Sequence, residues 1–280
     1  MILPTYHAHT FYCDGKGSPE DYIRNAIEQG LFAYGFSSHA PVPFPNDWSM
    51  KKDLVEEYME EIEILRGSYS QLIEIYTGLE ADFIPGKTDP LTVKNEYKLD
   101  YVIGSIHYVK QFNSGVPWQI DGNPEDFERG YNEIFNRNAQ ALITEYYELT
   151  RRMIREGCPD IIGHMDKIKM HNKSFRLFSE DDNWYQQEVL ATLEEIRKAS
   201  AIIEVNTRGM YKKGLSEPYP GSWALTKIRE MGIPVMLSSD AHHPSEITAS
   251  YDAALEIIKA AGIREVMVLK KNQFELTGID

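Results

Sequence analysis

Apolar runs rich in β-branched residues alternate with helix-like stretches along the chain. Seven of these runs have the character of strands, and each leads into a polar residue: 2–6, 32–38, 73–78, 101–105, 161–163, 202–205 and 235–239. Between them, apolar residues recur three or four positions apart, which predicts amphipathic helices. This alternation is typical of repeated βα units around a parallel sheet or barrel. We therefore predict an α/β fold, with one domain over residues 1–280.

The same pattern predicts individual helices. Ser18, followed by a proline and two acids, favours a helix start, and Gly30 should end that helix. A second helix is predicted over 53–66, and a long helical stretch over 125–156 should pack on the outside. We interpret the apolar run at 266–269 as a further strand or a terminal staple that carries no candidate ligand.

Composition narrows the class of protein. The 280 residues are 42% hydrophobic and 26% charged, as in ordinary globular proteins. The formal net charge of −14 argues against nucleic acid as a partner, because the basic surface that binds phosphate backbones is missing. No stretch approaches the roughly 18 apolar residues that span a bilayer, and no secretory leader is recognisable, so we expect no membrane partner and a cytoplasmic location. Cys13 and Cys158 predict two reduced thiols.

Side chains with metal-ligand chemistry follow the predicted strands. Six of the eight histidines come directly after an apolar run: His7, His9, His39, His107, His164 and His242. Glu80 and Asp240 occupy equivalent positions, whereas His171 is interpreted as a loop residue and His243 should point away from its neighbour. The carboxyl ends of the strands of an α/β barrel lie on one face, where active sites form. Imidazoles and carboxylates together on that face predict a site for zinc, manganese or iron.

The residues around these strand ends form short motifs: His7-Ala8-His9-Thr10 with Cys13-Asp14-Gly15, Phe36-Ser37-Ser38-His39, Gly78-Leu79-Glu80, Gly104-Ser105-Ile106-His107, Gly163-His164-Met165-Asp166, Glu204-Val205-Asn206-Thr207 and Ser239-Asp240-Ala241-His242. Together they resemble the PHP (polymerase and histidinol phosphatase) superfamily, most closely its stand-alone histidinol-phosphate phosphatases. The resemblance implies a distorted (β/α)7 TIM-like barrel with a trinuclear metal site at the C-terminal ends of the strands. It also implies that residues 1–280 form a single PHP-type metal-dependent phosphatase domain.

The resemblance implies ligands for three ions in turn: His7, His9, Glu80 and Asp240 for the first; Glu80, His107 and His164 for the second, with Glu80 bridging; and His39, His242 and Asp14 for the third. Asp14 matches less closely, because some superfamily members have histidine at this position and Asp14-Gly15 is also a common turn dipeptide. We expect two to three divalent ions as cofactors, and zinc, manganese and iron all suit this ligand set.

The remaining candidate residues fit the cleavage of a phosphate ester. Clustered divalent metals lower the pKa of bound water and neutralise phosphate oxygens, so no serine or cysteine nucleophile is needed. The chain has neither a Gly-x-Ser-x-Gly elbow nor a Walker phosphate loop. Arg208 and Lys167 are candidate ligands of the substrate phosphate, and the guanidinium group suits a bidentate contact. Asp240 or His242 is a candidate proton donor to the leaving alkoxide, which makes Asp240, His242 and Arg208 the candidate catalytic residues.

The reaction that the resemblance implies is hydrolysis of L-histidinol phosphate to L-histidinol and phosphate in histidine biosynthesis. The loop at 108–122 follows the fourth strand, so Phe112 and Trp118 are candidates to close over an imidazole-bearing substrate. The main alternative keeps the metal site and changes the ester to another phosphomonoester, a phosphotyrosine or a nucleic-acid phosphodiester. A non-catalytic metal-binding domain should have lost ligands, and an amidohydrolase-type barrel typically has a carboxylated lysine or a glutamate where this chain has His107. The expected partner is a small phosphate ester, and the oligomeric state is left open.

Overall fold

The computed structural model describes residues 2–279 of the chain. The strands of this part are β1 (Ala33–Phe36), β2 (Glu74–Asp82), β3 (Tyr101–Ser105), β4 (Tyr108–Gln111), β5 (Pro117–Gln119), β6 (Ile161–Ile162), β7 (Ile202–Asn206), β8 (Val235–Ser238), β9 (Glu265–Lys270) and β10 (Gln273–Gly278). The helices are α1 (Pro19–Glu28), α2 (Val55–Tyr69), α3 (Pro90–Tyr97), α4 (Pro124–Glu133), α5 (Ala139–Gly157), α6 (Asn172–Phe175), α7 (Asn183–Ala199), α8 (Arg208–Lys213), α9 (Ser222–Glu230) and α10 (Tyr251–Ala260). Short 3-10 helices lie at Lys52–Leu54, Lys167–His171 and Pro244–Glu246.

Six strands form one sheet in the order β1-β2-β3-β6-β7-β8, and every neighbouring pair is parallel. All residues of these strands are buried except Glu74, which is partly exposed at the start of β2. Burial on both faces explains why the strands are continuous apolar runs and do not alternate with polar residues. Because all six strands are parallel, their carboxyl ends lie at one edge of the sheet. The α/β prediction is therefore confirmed.

The predicted first strand is not a strand in the structure. Thr5 forms an isolated parallel bridge with Tyr34 of β1, and Ala8 forms another with Ala241, just beyond β8. One segment thus contacts both edges of the sheet, so the sheet must be curled. A continuous ladder does not form, because the segment pairs with each edge at a single position and Pro4 has no N–H to donate. The sheet therefore has six strands where the pattern predicted seven.

The predicted helix over 125–156 is divided into α4 and α5. Asn136 and Arg137, in the segment between the two helices, both have positive φ angles, 48° and 59°, which a continuous helix does not allow. The side chain of Asn138 then accepts a hydrogen bond of 3.0 Å from the backbone N–H of Ala141, so it caps α5. Asparagine tolerates the left-handed region and also caps helices, so a helix can end and a new one begin here although the apolar spacing on both sides is helical.

Among residues 2–279, no helix has the length and apolar content that crossing a bilayer requires.

The loop at 108–122 forms a small hairpin of β4 and β5. Trp118 is only 1% exposed, packs against Phe127 of α4, and donates a hydrogen bond of 3.1 Å from its indole Nε1 to the carbonyl oxygen of Asp126. Phe112 is also buried. The expectation that these two aromatic rings close over a substrate is therefore wrong, because both belong to the hydrophobic core.

The last apolar run is strand β9, which pairs antiparallel with β10 and lies outside the six-stranded sheet. The hydroxyl of Tyr6 donates a hydrogen bond of 2.7 Å to the carbonyl oxygen of Leu269 and accepts one of 2.9 Å from its N–H. These two bonds fix the hairpin to the N-terminal segment, which is the segment that carries His7 and His9. The prediction that the apolar run at 266–269 forms a further strand is thus confirmed.

Candidate metal centre

The carboxyl-terminal edge of the sheet brings together all nine predicted metal ligands. The ligand atoms form four overlapping groups in which every atom lies within 4.8 Å of the others: His9, Asp14, His39 and His242; His7, His9 and Asp240; His7, Glu80 and His164; and His39, Glu80 and His107. His7, His9, Glu80, His107, His164 and Asp240 are each at most 3% exposed. Such dense packing of ionisable groups out of contact with water is expected where the groups coordinate a cation.

Glu80, in β2, is the centre of this cluster. Its carboxylate lies among five imidazoles. Oε2 is 2.9 Å from His39 Nδ1, 3.2 Å from His7 Nε2 and 3.6 Å from His9 Nε2, and Oε1 is 2.9 Å from His164 Nε2 and 3.7 Å from His107 Nε2. Burial raises the pKa of this carboxyl group, but the adjacent imidazoles outweigh burial and hold the pKa well below its ordinary value. A carboxylate with histidines around both of its oxygens could contribute to more than one metal site.

Several buried polar atoms of the cluster make no aligned hydrogen bond within residues 2–279, although some of them lie close to one another: His7 Nε2, His9 Nε2, His39 Nδ1, His164 Nδ1 and Glu80 Oε2. A buried polar atom without a partner destabilises the fold by about 1–3 kcal/mol, so groups of them persist only for a functional reason. A divalent cation would satisfy several at once, and imidazole nitrogens with carboxylate oxygens are the donors that zinc, manganese and iron accept. The residues present therefore fit a metal centre.

Asp14 belongs to the most exposed part of the cluster. Its Oδ2 lies 3.3 Å from His242 Nε2, and its Oδ1 lies 3.8 Å from His39 Nε2. Burial raises the pKa of Asp14, but the interactions with His242, His39 and His9 lower it well below its ordinary value. The structure thus places Asp14 where the third set of ligands was expected.

Two buried carboxylates support the cluster from behind, and sequence reasoning had assigned neither a role. Glu204 Oε1 lies 2.5 Å from His7 Nδ1, and Glu204 Oε2 accepts a hydrogen bond of 2.8 Å from the backbone N–H of His164. Asp82 lies 3.2 Å from His107 Nδ1 and accepts a hydrogen bond of 3.0 Å from its backbone N–H. Burial lowers the pKa of His107, but the carboxylates of Asp82, Asp121 and Glu80 together outweigh it and raise the pKa to about 9. Carboxylates in this position orient metal-binding imidazoles and increase their basicity.

The residue spacing could have identified both of these carboxylates. Side chains two residues apart on a strand point to the same face. Asp82 is two residues from Glu80, and Glu204 is two residues from Asn206, which the motif comparison had placed at a strand end. Asn206 Nδ2 in turn donates hydrogen bonds of 3.1 Å to Glu204 Oε2 and 3.2 Å to Asp240 Oδ2. Hydrogen bonds through Asn206 therefore connect Glu204, which contacts His7, with the candidate ligand Asp240.

Replacement of Glu204 by glutamine is expected to weaken metal binding about 10- to 100-fold, because the amide removes the charge that orients His7. The measurement is a competition between protein and a chelating dye for zinc. The matched control is Glu194→Gln, which removes an exposed carboxylate from α7. Equal zinc affinity in Glu204→Gln and the control would show that this carboxylate does not support the centre.

Asp240 has an unusual backbone conformation, with φ of +54°. In this conformation its carbonyl oxygen accepts a hydrogen bond of 2.8 Å from Arg208 Nη1, and its side-chain Oδ1 lies 3.1 Å from His9 Nε2. Burial raises the pKa of the Asp240 carboxyl group, but His7, His9 and Arg208 lower it well below its ordinary value. Left-handed backbone is uncommon for residues other than glycine and is concentrated at functional sites.

A cavity of about 230 Å³ opens beside the ligand cluster. Besides ligands, its lining includes Trp48, Gln119, Asp121, Lys167, Arg208 and Tyr219. Both predicted phosphate ligands, Arg208 and Lys167, therefore reach the cavity. Trp48, which sequence reasoning overlooked because it lies in an irregular segment, packs with its ring centroid 4.4 Å from that of His39. Trp48 and Tyr219 are thus aromatic side chains that line the cavity, as Phe112 and Trp118 were predicted to do.

The fold and site together define a class of protein. The PHP domain family model matches residues 5–208, and the chain belongs to this family. A probable histidinol-phosphatase of Deinococcus radiodurans is 33% identical over 265 residues, which cover 93% of this chain and 94% of that protein.

Two solved structures, one of a presumed histidinol phosphatase and one of a histidinol phosphate phosphatase, share the fold. One, from Listeria monocytogenes, has a TM-score of 0.77 at 23% identity and covers 89% of this chain and 98% of its own. The other, from Lactococcus lactis, was solved with zinc, L-histidinol and phosphate; it has a TM-score of 0.70 at 22% identity and covers 98% of this chain and 100% of its own. The predicted family is thus confirmed.

Proposed function

We propose that this protein is a metal-dependent phosphomonoesterase that hydrolyses L-histidinol phosphate to L-histidinol and phosphate, a reaction of histidine biosynthesis. The observation that carries the proposal is the buried ligand cluster with unpaired donor atoms, placed beside a cavity that also presents Arg208 and Lys167. A cavity of about 230 Å³ suits a small phosphate ester better than a polymer. The relative from Deinococcus radiodurans, similar over nearly its whole length, carries a matching name.

The cluster would hold two to three divalent ions, with zinc, manganese or iron as candidates. The ligand sets that we propose are His7, His9, Glu80 and Asp240; Glu80, His107 and His164; and Asp14, His39 and His242. In the structure, Glu80 groups with His7 and His164 and, separately, with His39 and His107, so the proposed sets share residues with the observed groups but are not identical to them. Bound there, the ions supply positive charge for the phosphate oxygens and lower the pKa of water toward neutrality. The histidines and carboxylates of the chain hold this charge at the carboxyl ends of the strands, next to the cavity.

Arg208 is the proposed ligand of the substrate phosphate. Its guanidinium lies beside Asp240, whose carbonyl oxygen accepts a hydrogen bond from Nη1. Within residues 2–279, Nη1 is the one guanidinium nitrogen with hydrogen-bond partners, so the N–H groups on Nε and Nη2 can bind phosphate oxygens. Lys167 is proposed as a second phosphate ligand. Asp240 and His242, the two candidates for protonating the departing alkoxide, line the same cavity. We favour His242, because the lowered pKa of Asp240 keeps its carboxylate ionised.

Replacement of Arg208 by lysine is expected to lower kcat/KM for phosphate release about 10- to 100-fold, because a lysine keeps the charge but loses the planar pair of donors. Steady-state kinetics with L-histidinol phosphate would measure this loss. Arg197→Lys, on the exposed surface of α7, is the matched control. If Arg208→Lys is as active as that control, Arg208 does not bind the substrate phosphate in the way we propose.

We also infer that the N-terminal segment acts as the seventh member of a distorted (β/α)7 barrel. Support comes from its backbone hydrogen bonds to both edges of the sheet. Gly35 N–H donates to Thr5 O at 2.9 Å and Ser37 N–H to Ala8 O at 3.0 Å on one side, and His9 N–H donates to Ala241 O at 2.8 Å and Ala241 N–H to His7 O at 3.3 Å on the other. These contacts place His7 and His9 between β1 and β8. Metal binding by both histidines would hold the two edges together.

The substrate is tested by comparing kcat/KM for L-histidinol phosphate, p-nitrophenyl phosphate, a phosphotyrosine peptide and a dinucleotide. We expect L-histidinol phosphate to exceed the other three by at least about 100-fold, because the contacts with the amine and imidazole can contribute only with this ester. A higher kcat/KM for another ester would still support a phosphoesterase, but it would reject L-histidinol phosphate as the substrate. Hydrolysis of none of the four by the metal-loaded protein would reject the phosphoesterase function itself.

A further inference from the structure

Asp121 and Lys167 form an ion pair in the wall of the cavity. Lys167 Nζ lies 2.8 Å from Asp121 Oδ2, and the two side chains are only 11% and 13% exposed. Asp121 follows strand β5, and Lys167 begins the 3-10 helix after β6, so two separate loops bring these opposite charges together. Gln119 Nε2 donates a hydrogen bond of 2.9 Å to Asp121 Oδ1 and fixes the carboxylate against the cavity.

This ion pair lies at the edge of the ligand cluster. Lys167 Nζ is 3.3 Å from His107 Nε2, and Asp121 Oδ2 is 3.9 Å from the same nitrogen. Of the described residues that line the cavity, Asp14, Asp121 and Asp240 carry carboxylates. Asp14 and Asp240 belong to the proposed ligand sets. Asp121 is therefore the lining carboxylate that remains to meet a cationic group of a substrate.

We propose that Asp121 determines specificity by binding an ammonium group located two carbons from the ester oxygen of the substrate, while Lys167 leaves Asp121 and binds the phosphate. This inference rests on the proposed function and names the recognition element within it. A substrate with both an anionic and a cationic group supplies a new partner to each member of the pair. Both protein charges then remain paired throughout, as buried charges require.

The same exchange discriminates against esters without an amine. If Lys167 turns toward the phosphate of such an ester, Asp121 is left buried without a cationic partner. If Lys167 stays with Asp121, the phosphate loses one of its ligands. A site that leaves a buried polar group unpaired rejects the incomplete substrate far more strongly than a missing apolar contact would.

The test compares L-histidinol phosphate with 3-(imidazol-4-yl)propyl phosphate, which has the same ester and ring but no amine. We expect the wild-type protein to prefer the amine-bearing ester, and we expect Asp121→Asn to reduce the ratio of the two kcat/KM values about 10- to 100-fold. The matched control is Asp252→Asn, which neutralises an exposed carboxylate of α10 and should keep the wild-type ratio. Bound metal per chain is measured on every sample, because Asp121 lies close to His107.

A ratio in Asp121→Asn equal to that of the wild type would overturn the inference. Equal losses on both esters, with or without loss of metal, would also overturn it, because they indicate a structural role for Asp121. If the wild type hydrolyses neither imidazole ester, the proposed substrate is wrong. The kcat/KM values of 2-aminoethyl phosphate and ethyl phosphate are then compared in the same way. An amine preference in that pair that disappears in Asp121→Asn would still support Asp121, and its absence would reject it.

Discussion

Asp240→Asn is expected to lower kcat/KM for phosphate release about 1,000-fold. The substitution removes the negative charge that faces His9 Nε2 at 3.1 Å and His7 Nε2 at 3.7 Å. Asparagine tolerates the left-handed backbone that this position adopts, so the chain path should be kept. Loss of several kcal/mol of metal-assisted stabilisation corresponds to roughly three powers of ten in rate.

The measurement is steady-state kinetics on the metal-loaded variant, with circular dichroism to confirm the fold. Asp181→Asn neutralises an exposed carboxylate and serves as the control. Activity of Asp240→Asn within about threefold of that control would show that the carboxylate is not part of the catalytic centre, and the ligand assignment would have to be revised.

Removal of metal is expected to lower the Tm of the wild-type protein by roughly 8 °C or more, since one ion at about 1,000 times its Kd adds ~4 kcal/mol and each kcal/mol shifts Tm by ~2–4 °C in a chain of similar size. The physical reason is the cluster of buried donors. Without a cation, Glu80 Oε2 and the imidazole nitrogens around it make no aligned hydrogen bond among the described residues. Calorimetry before and after exhaustive chelation measures the difference.

Glu80→Gln provides the internal comparison for this experiment, because it removes the carboxylate shared by two of the proposed ligand sets. Its Tm should respond to chelation much less than the wild-type Tm does. A wild-type Tm that is the same with and without metal would mean that the buried cluster is stable without a cation, and the structural argument for the metal centre would fail.

Much of the fold follows from local sequence. Strand β3 has the bounds that the apolar run 101–105 predicted, and α1 begins after Ser18, which caps it as expected. The predictions of secondary structure were wrong where contacts between distant parts of the chain, or a short turn, decide the local structure. The N-terminal segment carries an apolar pattern typical of a strand, but it pairs with each sheet edge at one position only. Periodicity likewise missed the turn at Asn136, because a short left-handed turn leaves the helical spacing on both sides intact.

The grouping of the candidate ligands could be predicted from the order of strands and polar residues along the chain. Parallel strands place all their carboxyl ends at one edge, so seven separated stretches of sequence could be combined without knowledge of their contacts. The supporting residues required more information. Spacing on the strand indicates that Glu204 faces the same side as Asn206, but its contacts with both His7 and His164 depend on how the strands pair. Asp121 lies in a hairpin connection, and its partner Lys167 comes from a different loop.

The most direct test of the metal-dependent phosphatase is a reconstitution series. Metal-free protein is titrated with zinc, manganese or iron(II), and phosphate release from L-histidinol phosphate is followed together with bound metal per chain. We predict no release without metal, and activity that rises with occupancy and reaches its maximum at two to three ions per chain. Full activity of protein shown to be metal-free, or a chain that binds no ion at all, would contradict the assignment of this strand-end cluster as the catalytic centre.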